Sequence, residues 1–165
     1  MIATHKTVDG LNQQALARFL RQAQKALKLK GEVSVLLTSS RKMRELNRAF
    51  RGKDGSTDVI SFPAASLTAE EVAGDVAISV EIATANGRKF GHKTEDEIRI
   101  LILHGLLHLA GYDHETDSGQ MARKEAALRR KLGLPSNLIA RSEARPRLNG
   151  SKRIHGSPAK QESNR

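Results

Sequence analysis

The chain reads as a single α/β (α+β) domain: a small mixed sheet packed with about five helices, one of them buried at the centre. Three observations predict this. Its 165 residues make about one ordinary domain. Stretches of helical periodicity interleave with short β-branched, alternating stretches. No internal repeat divides the chain.

In order along the chain, Leu16, Phe19, Leu20, Ala23 and Leu27 recur at helical spacing from about Asn12 to Leu29, giving an amphipathic helix that ends near Gly31 and should cover a sheet. Glu32 to Thr38 alternates and is β-branched, hence a strand, after which Ser39 or Ser40 offers an N-cap. The helix that follows, to about Phe50, carries Arg41, Arg44, Arg48 and Arg51 on one side. Met43, Leu46 and Phe50 fall on the other, so the apolar side should pack and the basic side face out. Asp54-Gly55-Ser56 signals a turn before a strand from Thr57 to Phe62, stopped by Pro63, and a further strand runs from Asp75 to Ser79. Glu81 to Phe90 reads as a helix ended by Gly91. Thr94 and Glu97 have the spacing of a capping box, and Ile98 to Ala110 is apolar nearly all round, as a helix buried on most sides must be. Gly111 stops it. Thr116 or Asp117 then caps a last helix with Met121, Leu128 and Leu132 as its stripe, ending at Gly133-Leu134-Pro135. From about Arg141 apolar residues all but vanish, so residues 141–165 cannot offset the entropy of ordering and are expected to form a disordered basic tail beyond a domain of residues 1–140.

Composition excludes several classes of function. There is no cysteine, so disulfides, thiolate metal sites and cysteine nucleophiles are out, which suits a reducing cytoplasm. The first residues lack the pattern of an export signal, and Ile98 to Ala110 is shorter than the roughly 20 residues that span a bilayer, so a cytoplasmic location without membrane attachment is expected. The net charge is +10, and residues 141–165 carry half of it, with seven Lys/Arg against two Glu. Such a balance favours polyanionic partners, nucleic acid first, although a merely soluble basic protein has the same composition. With 3% aromatic residues there are too few rings for a single-strand stacking platform, and contact with nucleic acid should be mainly electrostatic.

The chemistry concentrates in His104-Gly-Leu-Leu-His108-Leu-Ala-Gly111-Tyr-Asp-His114. Residues four apart on a helix share a face, so His104 and His108 can hold one cation. Glycine at 111 lets the chain turn back so that His114 supplies a third nitrogen. Three neutral imidazoles with one open position make a catalytic rather than a structural zinc site, and other divalent transition metals accept the same donors. A lone histidine is usually a satisfied core or surface residue, but two on an apolar helix without partners would be costly. The remaining histidines, His5, His92 and His155, lie at no ligand spacing and are assigned to the surface. The pattern also matches the zinc-protease motif H-E-x-x-H-x-x-G-x-x-H except that Gly105 replaces the glutamate, the general base of those proteases, which leaves a peptidase as the second reading.

Together with Asn47 to Phe62 (NRAFRGKDGSTDVISF) and Gly74-Asp-Val-Ala-Ile78, the histidine segment resembles the YbeY family of bacterial ribosomal-RNA maturation endoribonucleases, over residues 31–133. The resemblance implies a single-strand-specific, metal-dependent endoribonuclease acting in 16S rRNA 3′-end maturation and ribosome quality control. It implies His104, His108 and His114 as ligands of one Zn2+ and Arg51 as the catalytic arginine. RNA and the ribosome would be its partners, with a ribosomal protein or an assembly GTPase as recruiter. Arg51 also fits on chemical grounds, since a guanidinium holds a phosphate bidentately and offsets charge in the transition state. Asp58 and Asp75 fall in the matching blocks and are read as structural, capping or orienting a histidine. A third reading keeps the metal structural and makes the protein a non-catalytic ribosome-assembly factor.

Overall fold

Strands and helices interleave in the computed structural model, which describes residues 1–4, 10–64 and 72–135. The elements are β1 (Ile2–Thr4), α1 (Gln13–Leu27), β2 (Glu32–Thr38), α2 (Ser40–Arg51), β3 (Val59–Pro63), β4 (Val72–Ser79), α3 (Val80–Phe90), α4 (Thr94–Leu109) and α5 (Gln120–Lys131). The strands form one mixed sheet in the order β1-β2-β4-β3. β1 and β4 lie parallel to β2, while β3 runs antiparallel to β4 at an edge. The α/β architecture with a small mixed sheet and five helices is therefore the one expected. The proposed tail, residues 141–165, lies outside the described residues. Among the described residues no helix is long and apolar enough to cross a membrane.

Strand alternation divides the core in two. Val33, Val35 and Leu37 of β2 and Val76 and Ile78 of β4 face α1 and α4, joining Leu16, Phe19, Leu20 and Ala23 in the main core. Leu36, Ile60, Phe62 and Ala77 face the other way and meet Met43 and Leu46 of α2. α4 is the hub of the larger layer, with Ile98, Ile100, Leu101, Ile102, Leu103, Leu106 and Leu107 all buried. Each such side chain contributes about 1.5–3 kcal/mol. Packing therefore fixes the position and roll of α4, and with them the direction of its histidines.

Three helix starts follow the expected chemistry. Asn12 accepts from the Ala15 N–H at 3.0 Å, Ser39 from Lys42 at 3.2 Å and Ser79 from Ile82 at 3.2 Å. Ahead of α5 the Asp117 carboxylate accepts from Gly119 and Met121, both at 2.7 Å, so Asp117 rather than Thr116 secures that end.

Elsewhere the structure corrects the sequence reading. The short strand β1 is an addition, for three residues are too few to show a period. β3 starts at Val59 because the Asp58 carboxylate turns back to accept the Val59 N–H at 2.9 Å. β4 starts at Val72. Phe50 is 68% exposed, although it continues the Met43 face of α2. The last turn of α2 runs to the edge strand, where Phe62 meets the Phe50 ring edge-on at 5.0 Å. The buried companion of Met43 is instead Asn47, which donates to the Gly55 carbonyl at 2.8 Å. On the basic side Arg44 and Arg48 both bind Asp54 at 2.8 Å, which holds its carboxyl well below the usual range. Arg41 and Arg51 keep exposed side chains.

The capping box is absent: Lys93 occupies the N-cap of α4 without a side-chain bond. Glu97 is fully buried, its carboxylate 2.6 Å from His92 Nε2 and 3.4 Å from Asn86 Nδ2. His92, expected at the surface, has a side chain only 9% exposed. It ties the turn after α3 to the first turn of α4, a contact that sequence distance alone does not announce. His5 and His155 lie outside the described residues. Replacing His92 with alanine takes the nearest partner from a buried carboxylate, so the His92→Ala protein should lose about 3 kcal/mol of stability. A urea unfolding midpoint equal to wild type would refute that role for the pair.

Candidate metal centre

Most of α4 is buried, but at its C-terminal end His104 and His108 emerge from the core one turn apart. The helix then stops in a reversed turn. Gly111 has φ +91, its N–H donates to the His108 carbonyl at 3.0 Å, and the Tyr112 N–H donates to the Leu107 carbonyl at 3.0 Å. These two bonds are a Schellman motif, whose left-handed residue is normally glycine. The turn brings His114 back over the end of α4. Its ring centroid lies 5.4 Å from that of His104 and 5.2 Å from that of His108.

One nitrogen from each ring can be chosen so that all three lie within 4.8 Å of one another. His104 Nε2 and His108 Nε2 are 3.2 Å apart. Two ligands of a tetrahedral zinc-sized ion are separated by about 3.3 Å. Protonation favours ligation too. Burial, then the neighbouring imidazoles of His104 and His114, hold His108 below its ordinary value, so its ring is neutral near pH 7. His104 Nδ1 lies 3.0 Å from Glu125 Oε2, and His114 Nδ1 is buried without a hydrogen-bond partner. A buried imidazole nitrogen left without a partner is costly unless something else satisfies the ring. The donor set fits a divalent transition-metal ion, and cysteine-free imidazole coordination leaves room for a fourth, exchangeable ligand.

The Glu125 carboxylate, on α5, also accepts from Arg129 one turn further along. Burial pushes the Glu125 carboxyl up, but the hydrogen bond and charge of His104 together with Arg129 bring it down to about 2. It is an ionised acceptor in the interior. Neither residue was legible as part of the site. Their i,i+4 spacing on a polar helix reads as a solvated ion pair, and Glu125 lies 21 residues from His104.

The cleft holding the histidines is also lined by Arg51, Asp58, Ser61, Lys89 and Tyr112. Arg51, the last residue of α2, thus shares the cleft with the three rings although α2 packs on the opposite face of the sheet. It reaches the cleft around the edge strand β3. Asp58 lines the cleft but spends its carboxylate on Val59 and Thr57. Asp75 is exposed on the α2 face of β4, since Val76, its neighbour in the strand, faces α4. Neither aspartate bonds a histidine ring, and the group that does is Glu125. Gly105 is buried against the sheet, where a Cβ would stand 2.6 Å from Val76 Cγ1 and 3.2 Å from Ser61 Oγ. A glutamate at this position would point into the sheet and not at the histidine cluster.

The chain is similar to known proteins over most of its length. The family model described as "Endoribonuclease YbeY" matches residues 2–133. A protein named Endoribonuclease YbeY from Koribacter versatilis is 50% identical over 153 residues, 93% of this chain and 98% of that one. Its namesake from Solibacter usitatus is 47% identical over 134 residues, 81% and 88% of the two chains. Among solved structures, the solution structure of a Thermotoga maritima protein superposes with a TM-score of 0.54 at 32% identity, covering 80% of this chain and 89% of that one. A match across residues 2–133, carried by relatives at about half identity, shows that this chain belongs to the YbeY family.

Proposed function

We propose that the protein is a metal-dependent endoribonuclease that cuts single-stranded RNA during ribosomal-RNA maturation and ribosome quality control. His104, His108 and His114 hold one divalent metal, zinc in first place, and Arg51 engages the scissile phosphate. The observation that carries the reading is the convergence of three imidazole nitrogens in a cleft that Arg51 also lines. The names of the relatives supply the class of reaction, endonucleolytic cleavage of RNA. When bound, the metal supplies a Lewis acid that also lowers the pKa of water.

The chain's own residues supply the rest. The guanidinium of Arg51 can bind two phosphate oxygens at once and counter the charge that grows on them during displacement. Lys89, which also lines the cleft, adds a second cation for the RNA backbone. The histidines line a cleft, so a phosphate must be brought into it to reach them. A single strand can bulge inward without breaking base pairs, whereas a duplex presents a regular backbone. The overall charge of +10 suits the ribosome as a target, and a ribosomal protein or assembly GTPase would bring the enzyme there. A cytoplasmic setting is part of this reading, and a chain without cysteine is compatible with it.

The test is cleavage of an end-labelled single-stranded ribosomal-RNA fragment by wild type and by Arg51→Ala, purified identically. Arg51→Ala should lower kcat by about 10²–10³-fold, with zinc content and thermal midpoint unchanged. If neither protein cuts while both bind the fragment, the assembly-factor reading takes over. If Arg51→Ala cuts as fast as wild type, the arginine does not act on the phosphate.

A further inference from the structure

We propose that Glu125 and Arg129 are positioning residues for the metal centre: the Glu125 carboxylate holds the His104 ring in its Nδ1–H tautomer, and Arg129 holds the carboxylate. The proposal rests on reading the three histidines as metal ligands, and it adds what fixes one of them.

A neutral imidazole has two tautomers, and only a nitrogen without a proton can ligate. A carboxylate accepts and cannot donate. With Glu125 Oε2 3.0 Å from His104 Nδ1, the ring proton belongs on Nδ1. The lone pair is then on Nε2, the atom that faces His108 Nε2 at 3.2 Å. The ring's rotation is fixed by the same contact. Glu125 in turn has little freedom, because its second oxygen accepts from Arg129 and both residues are buried, at 5% and 1% exposure. α5 is itself anchored by Met121 and Leu128 in the main core. The line of contact thus runs from the core through Arg129 and Glu125 to the ligating nitrogen.

Stability alone does not account for this pair. Burying a carboxylate and a guanidinium costs desolvation that apolar residues of similar volume would avoid. Each buried charge here instead serves the next group in line. The other acids lining the cleft, Asp58, Asp113 and Glu115, make no hydrogen bond to a histidine ring among the described residues, so Glu125 has no substitute.

The experiment measures zinc affinity of the full-length, metal-stripped protein by competition with a chromophoric chelator, beside long-range 15N–1H spectra of the imidazoles. Glu125→Gln keeps an acceptor oxygen and should bind zinc about 10-fold more weakly than wild type, and Glu125→Ala about 100-fold. In the metal-free spectra His104 should be the Nδ1–H tautomer in wild type and shift toward Nε2–H in Glu125→Ala. Met43→Ala, which opens the second core layer under α2 and leaves α5 in place, should lower the thermal midpoint and leave zinc affinity unchanged. The proposal is overturned if Glu125→Gln and Glu125→Ala bind zinc within twofold of wild type, or if Met43→Ala reproduces their loss. Should Glu125→Ala fail to fold, Glu125→Gln decides alone. A wild-type protein that itself binds no zinc would instead overturn the metal reading beneath the proposal.

Discussion

Replacing His108 with alanine should abolish stoichiometric zinc binding and lower cleavage of single-stranded RNA by at least on the order of 10³-fold, while the metal-free protein stays folded. His108 is one corner of a near-equilateral triangle of rings, 4.9 Å from the His104 centroid and 5.2 Å from that of His114, so its loss leaves two donors in place of three. Its side chain projects from the end of a helix whose position is set by seven buried aliphatic residues, none of which the substitution touches. Alanine also has the highest helix propensity. The fold should survive and only the coordination be lost. Two measurements check this together. Zinc at 100 times its Kd should stabilise wild type by about 2.7 kcal/mol, seen as a rise in the thermal midpoint, and should leave His108→Ala unmoved. A variant that still gains stability from zinc, or still cuts at more than a small fraction of the wild-type rate, would mean that the metal lies elsewhere or that the cutting is not metal-dependent.

How much of this was legible in the sequence depends on whether the deciding contact is local. The histidines were legible because i,i+4 spacing and a glycine stop are local features, and the Schellman bonds at Gly111 and Tyr112 carry them out as expected. Ser39 and Asp117 were legible as capping residues for the same reason. The buried polar residues were not. Glu97, Asn47, Glu125 and Arg129 belong to types that are almost always exposed, so pattern reading assigns them to water. Each goes inside because of a partner elsewhere: His92 for Glu97, the Gly55 carbonyl for Asn47, and His104 and Arg129 for Glu125. Asp75 shows the reverse error. It stands in a block that resembles the family's motif, yet strand alternation turns it to the α2 face, away from the histidines. Motif membership identifies a residue as part of the site region. The parity of its position in the strand decides whether it can reach.

Gly105 joins the two levels, and substituting it should have the largest effect on folding. In the zinc-protease pattern this position is a glutamate that serves as general base. Here the same position on α4 is turned inward: a Cβ would lie 2.6 Å and 3.0 Å from the two methyls of Val76, and the Ser61 hydroxyl donates to the Gly105 carbonyl at 3.1 Å. The helix lies so close to β3 and β4 that only hydrogen fits. Gly105→Ala should therefore destabilise the domain by about 1–3 kcal/mol, overpacking outweighing the better helix propensity of alanine. Gly105→Glu adds a carboxylate with no partner in an apolar layer, a cost of several kcal/mol that rivals the whole stability of an ordinary domain. It should accumulate only as unfolded or insoluble protein. Circular dichroism and thermal melts of the two variants would show this, and a casein assay should find no peptidase activity in either. A folded Gly105→Glu protein that hydrolysed casein would show that α4 can roll to present this position to the metal. The close helix–sheet contact would then not be what separates this chemistry from that of the peptidases.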